Sequence, residues 1–491
     1  MYDKIIKHYS FSMPVIIFFF TLCINSLFLH AFRDDLYQRG SYYPETPRDL
    51  AYSFYANNTI TSYKARTAYH EGKVQIQKIL NEQQPVIPMW EAPAYALLMG
   101  SLWKLTHSLS YYDILLLQMV LFALSCVLLY ATLLLMNVNQ IHALIMVCCV
   151  PLFLPLLFVN SNPVRDVFCF YGVAALLYSV VSLFYKHDQN YWYFLMSGVW
   201  IALCQWMRQT VFGSLLMVSL FVIPYAYWYC RDRFSAIIKG LLVLWLCNII
   251  CFWLPYSVYN KALYGRYFAG QTGQLLLDSM GYTPPNRINS QCRDVYNGLY
   301  CDGCVTEYTI RRFSLDRNIF ISGTPALDDK MKDAFWEWFW QDPIFWFKGL
   351  VWRIKKLLFL DMTWSTTHGW NWQFYNTFTS YTDRLKATYS FGWFALFEFL
   401  FRRWHVRIVM LLGYMGAFLW WRQRSFLFLG LLFFLVGGGI APAIISHPEH
   451  RYLTPFYFVF PLLTGYFLYN VVGYIFYVVK KIFFSKTGII V

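Results

Sequence analysis

Two adjacent aspartates, Asp34 and Asp35, stand in the stretch HAFRDDLYQRG (residues 30–40), directly after the first long apolar run of the chain. Two more carboxylates sit at the starts of later apolar runs, Glu91 in PMWEAPAY and Asp166 in NSNPVRDVFCFYG. Arginines share such places: Arg33, Arg165, Arg208 in QWMRQT and Arg451 in SHPEHRYLTP. A carboxylate can take the proton of an attacking hydroxyl, and a guanidinium matches phosphate with two parallel hydrogen bonds. Together they suit group transfer from a phosphate-linked lipid. Each residue taken singly has a plainer role. The helix dipole stabilises a carboxylate at an N-terminus, which covers Glu91 and Asp166, and snorkelling to headgroups covers any one arginine. The chemical reading requires that they meet at one rim.

The elements that must position them follow from composition. Of the 491 residues, 58% are hydrophobic, 21% aromatic and only 13% charged, too little polar surface for a soluble globule. Apolar runs of spanning length repeat along the chain, which predicts an all-α polytopic membrane protein. The net charge of +14 does not point to nucleic acid, because the basic residues gather at the ends of apolar runs instead of forming one stripe. Ten spans are expected: 11–32, 112–135, 141–161, 167–185, 191–207, 211–229, 236–257, 404–421, 425–446 and 452–479. The first follows Lys4 and Lys7 and is too long for a cleaved signal peptide, so both termini are expected in the cytoplasm. Lys186, Arg231, Arg233, Lys239, Arg422, Arg424, Lys480, Lys481 and Lys486 then fall inside, as the positive-inside rule requires.

The stretch 91–105 is too short to span and ends at Lys104 and His107, which predicts a helix at the outer interface; 388–402 is read the same way. One membrane-embedded domain over 1–491 results, with two long outer segments, 33–111 and 258–403. The second contains DAFWEWFWQDPIFWFKGLVWRIKKLLF, an aromatic and basic stretch suited to the membrane surface, most of it an aromatic belt and some of it a wall for a lipid substrate. Nine of the twelve cysteines lie in or at the ends of spans; Cys292, Cys301 and Cys304 lie outside, where a loop disulfide is a better reading than zinc.

The order of these features resembles the C-type glycosyltransferases that use polyprenyl-phosphate sugars, in particular the bacterial branch with the lipid A aminoarabinose transferase and relatives of the protein O-mannosyltransferases. FRDDLY resembles the acidic site of the family's first loop, and WEAPAYALLMGSLWKL its Glu-Lys-Pro-Pro-type helix start. NPVRDVFCFYGVAAL resembles the aspartate that opens a later span, LPYSVYNKALYGRYFAGQTG the segment leading into the second loop, and HPEHRYLTPFYFVFPLL the start of a late span. The likeness covers most of 1–275 and 340–480 through order and placement, each motif being degenerate. Ala92 stands where the aminoarabinose transferase has lysine, no Trp-Trp-Asp-Tyr-Gly string occurs, and the sequence ends soon after its last span.

The resemblance implies inverting transfer of a sugar from a polyprenyl-phosphate donor to a hydroxyl of an envelope lipid, glycan or protein, at the outer face of a bacterial inner membrane. In that scheme Asp35 or Asp34 is the base, and Glu91 and Asp166 position the acceptor or a divalent metal, with Asp35 and Asp166 as the metal candidates. Arg208, Arg165, Arg451 and Arg33 then face the donor phosphate. A glycan polymerase or ligase is the nearest alternative, and a lipid or glycan transporter a more distant one, since transporters place charges near the midplane. Residues 33–111 are expected wholly outside. A cysteine introduced at Leu109 should therefore react with an impermeant reagent from the outer side only; labelling confined to the cytoplasmic side would show that 91–107 crosses.

Overall fold

A computed structural model describes residues 2–38, 45–58, 93–110, 112–160, 165–186, 191–208, 211–267, 272–281, 308–315, 325–358, 393–424, 426–445 and 455–487. These residues are helical almost throughout, with no strand among them. In chain order the main helices are α1 (Tyr2–Gln38), α2 (Glu45–Asn57), α3 (Pro93–Thr106), α4 (Tyr112–Leu135), α5 (Gln140–Cys148), α6 (Leu154–Asn160), α7 (Asp166–Tyr185), α8 (Trp192–Met207) and α9 (Val211–Tyr229). They continue with α10 (Phe234–Asn248), a π turn (Ile249–Trp253), α11 (Leu254–Tyr264), α12 (Thr272–Gly281), α13 (Pro325–Gln341), α14 (Pro343–Leu358), α15 (Trp393–Gln423), α16 (Phe426–Ile445) and α17 (Val459–Thr487).

Among the described residues, six segments are long and apolar enough to cross a membrane: Ser12–His30, Tyr112–Leu135, Asp166–Tyr185, Val211–Tyr229, Arg231–Ala262 and Val459–Val478. At about 1.5 Å per residue, 20 residues cover the ~30 Å of hydrocarbon. α7 is the central helix, 83% of its most apolar window being buried in protein, against 22% for α1. α4 and α8 flank α7, α9 pairs with α16, and α15 pairs with α17.

Several helices differ from the sequence expectation. α1 runs on past Phe32, the expected end of the first span, to Gln38, so Asp34 and Asp35 lie on its last turns. The run 141–161 is broken between Cys148 and Leu154, because Pro151 and Pro155 lack the N–H groups that would carry the ladder through. The run 236–257 continues through the π turn to Tyr264. Residues 393–423 form one helix of 31 residues where an interfacial piece and a separate span were expected. α3 has 14 residues, about 21 Å, and packs against α2 and α4, as a helix too short to span would. Cys292, Cys301 and Cys304, expected on the outer side, lie outside the described residues, and the nine described cysteines are free thiols.

Close helix crossings use glycine. A Cβ at Gly416 in α15 would collide with the Leu463 carbonyl of α17, and one at Gly438 in α16 would fall 2.5 Å from Gly213 of α9. Without a hydrophobic drive inside lipid, such backbone approach supplies the packing energy that larger residues would prevent. Gly473, further along α17, has nothing within 4 Å of its missing Cβ. Gly416→Ala should therefore lower stability by about 1–3 kcal/mol through overpacking. Gly473→Ala should raise it by roughly 0.5–1 kcal/mol through backbone entropy. Thermal midpoints of the two purified variants in one detergent should move in opposite directions; movement in the same direction would refute the α15–α17 crossing.

Candidate functional site

α7 starts at Asp166, whose carboxylate sits in the first turn and meets the positive end of the helix dipole. α8 ends at Met207, and Arg208 leaves it in an extended conformation (φ −156°, ψ 113°) while its N–H still bonds the Cys204 carbonyl at 2.6 Å. That change of direction carries the guanidinium across to α7, where Nη1 donates to Oδ1 of Asp166. Both residues are buried, Asp166 at 6% and Arg208 at 7% exposure.

The two helices can lie this close because Gly172 offers no Cβ to Cys204. One turn inward from the ion pair, Cys204 Sγ donates to the Phe168 carbonyl at 3.4 Å and Cys169 Sγ to the Cys204 carbonyl at 3.7 Å. Phe168 also meets Tyr95 of α3, edge to face at 5.8 Å. α3 is thus seated on the turn that carries Asp166.

α1 approaches the same end of the bundle. Nδ2 of Asn160, the last residue of α6, donates to Oδ1 of Asn25 in α1 at 3.0 Å, and Asn25 donates to the Thr21 carbonyl at 2.7 Å. Arg165 and Asp166 follow Asn160 by five and six residues. Asp34 and Asp35 stand further along α1, about 14 Å beyond Asn25 by helical rise.

The expected site residues therefore divide. Asp166 and Arg208 come together, but with each other: the carboxylate assigned to acceptor or metal and the arginine assigned to phosphate form one ion pair. Arg165 precedes them, half-buried. Arg33, Asp34 and Asp35 are placed by their backbone in the last turns of α1. Glu91 and Arg451 lie outside the described residues. Among the described residues no group of three or more His, Cys, Asp or Glu side chains could hold a metal ion. A guanidinium bonded to Asp166 is also the wrong neighbour for a divalent cation, so the metal role expected of Asp166 does not fit this donor set.

The sequence reading missed the neighbours of Arg208. Trp206 meets Phe252 (5.5 Å), Tyr256 (5.5 Å) and Tyr259 (6.0 Å), and Phe252 stacks on Tyr256 at 4.9 Å. Pro255 has no N–H to give the Cys251 carbonyl, and the Trp206 indole donates to it instead at 2.9 Å. Gln205 and Asn260 are buried beside this stack, and among the described residues neither has a hydrogen-bond partner for its amide nitrogen or oxygen. The spacing 252, 256, 260 was the available signal: i, i+4, i+8 places two aromatics and an asparagine on one helical face.

No family model matches the chain, and no curated protein or solved structure does either.

Removing one partner of a buried ion pair leaves an uncompensated charge and costs roughly 3–5 kcal/mol. Asp166→Asn and Arg208→Gln should each lose stability on that scale, and the double variant should lose clearly less than the sum. A double-mutant cycle on thermal or denaturant unfolding measures the coupling; additive losses would show that the two side chains do not interact.

Proposed function

We propose that this chain is a membrane glycosyltransferase of ten spans, with both termini in the cytoplasm, that moves a sugar from a polyprenyl-phosphate donor to a hydroxyl of an envelope lipid, glycan or protein. The work is done at the outer face of a bacterial inner membrane. The observation that supports this reading is the buried Asp166–Arg208 pair at the bundle end toward which the acidic terminus of α1 runs. A pair sunk among helix ends holds its arginine in a fixed orientation without net charge, and Arg165 beside it adds one positive charge to balance a phosphate.

In the proposed reaction a carboxylate of the α1 terminus takes the proton of the acceptor hydroxyl as its oxygen attacks the anomeric carbon. The bond from that carbon to the phosphate oxygen breaks, and the lipid phosphate leaves with the electron pair. Charge grows on the departing phosphate, where Arg208 and Arg165 stabilise it; positioned cations of this kind act most strongly where water is excluded. Asp166 acts as a positioning residue for Arg208. Because Asp34 and Asp35 are consecutive on a helix, their side chains start about 100° apart, so one can face the acceptor while the other cannot. Asp35 is the first choice for the base, and Glu91 and Arg451 are proposed to join the same rim.

Mass spectrometry of envelope lipids and glycans from cells with and without the gene should reveal one missing sugar modification. In complemented cells, Asp34→Asn or Asp35→Asn should reduce that product on the order of 100-fold at equal protein level, as loss of a general base does. Normal product from both single variants and from the double variant would refute the catalytic role of α1.

A further inference from the structure

The α13–α14 pair presents an apolar edge that the proposed reaction does not use. Trp336 and Trp340 of α13 are 47% and 74% exposed, and Ile344, Phe347 and Val351 of α14 are 64%, 54% and 52% exposed. Their spacing puts each set along one side of its helix, and the two sets meet at the turn between Gln341 and Pro343. That turn is firmly built: Asp342 accepts from the Phe345 N–H at 3.0 Å, and Pro343 occupies the first helical position.

The opposite side of the pair is fixed to protein. Trp346 Nε1 donates to Ser279 Oγ at 2.8 Å and Arg353 Nη1 to the Ser279 carbonyl at 2.6 Å, joining α14 to the end of α12. Burial lowers the Arg353 pKa to about 10, so the group that holds this joint is still a cation at neutral pH. Gly273 lets α12 lie against Asp328 of α13, and α14 rests on α16. The exposed edge is therefore held outward.

We infer that this edge is seated in the lipid leaflet next to the bundle, with its aromatic and aliphatic side chains among the acyl chains and Lys348 at anionic headgroups. Three observations favour lipid over another occupant. The edge is as exposed as the outward faces of the long apolar helices, where Leu116, Phe433 and Phe476 are 62%, 59% and 70% exposed. α14 packs directly on one of these helices, α16, so the surfaces adjoin. α14 also places exposed Lys348 beside Phe347 on this edge and has no carboxylate, which suits an anionic surface. Tryptophan is the side chain expected at this depth. The inference requires only that the chain spans a membrane and is independent of the transfer reaction.

The test uses the full chain in nanodiscs of mixed phosphatidylglycerol and phosphatidylcholine, with a photoreactive benzophenone amino acid at position 340, 347 or 330. Lys330, at the start of α13, pairs with Asp333 and serves as the solvated reference. Illumination should give lipid adducts by mass spectrometry at 340 and 347 and none at 330. Adducts at 347 should favour phosphatidylglycerol, and Lys348→Gln should reduce that preference by about fivefold, the factor one lysine contributes near an anionic surface. Cross-links to another copy of the chain, or no lipid adduct at 340 and 347, would overturn the inference; adducts without headgroup preference would overturn its anionic part.

Discussion

A backbone carbonyl in apolar surroundings must find a donor, and this molecule is organised around that requirement wherever a helix ladder is interrupted. At the π turn the Cys251 carbonyl, which Pro255 cannot reach, receives the indole of Trp206 at 2.9 Å. At the end of α7 the Phe184 carbonyl receives Arg233 at 2.8 Å, and beyond the end of α4 the Asn137 carbonyl receives Arg424 at 3.3 Å. Ser279, in the last turn of α12, receives Arg353. Cations suit these places twice over, as donors and as countercharges to the negative ends of helix dipoles. Each interruption consequently binds a second helix, so ends and breaks become joints.

The candidate site is another such joint with both signs of charge. Asp166 meets the N-terminal dipole of α7, and Arg208 has just left the C-terminus of α8, so each charge occupies the end that favours it before the two meet. Desolvation makes a buried pair of this kind weak evidence for stability. Its consequence is orientation: the guanidinium is held in one place among buried helix ends. The buried amides of Gln205 and Asn260 beside the Trp206 stack have no hydrogen-bond partner among the described residues.

α13 is tied back to the end of α11 by an ion pair. Arg266, just past the end of α11, bonds Asp329 of α13 at 2.7 Å and holds that carboxyl below its usual pKa. The stabilisation is present above the unfolded value of 3.8 and is lost as pH falls through the lowered one. Both partners are more than two-fifths exposed, so the contribution is small and salt-sensitive. Glycine contact between α12 and α13 does more to fix the geometry.

Helical class and most helix positions were legible in the sequence because apolar runs of spanning length have no other stable form in lipid, and Tyr112–Leu135 matches the expected 112–135 to the residue. The helix-end position of Asp166 and Arg208 was legible for the same reason: run ends are where charges are tolerated. Their pairing was not, because which helices touch depends on small residues such as Gly172, whose effect exists only once α7 and α8 are laid together. The break at Pro151 and Pro155 and the continuous α15 show the same limit, since hydropathy counts apolar residues without asking whether the ladder carries through. Sequence alone determined that these side chains stand at helix ends; tertiary packing decided that Arg208 answers Asp166, because a charge's partner is set by distance across the bundle and not along the chain.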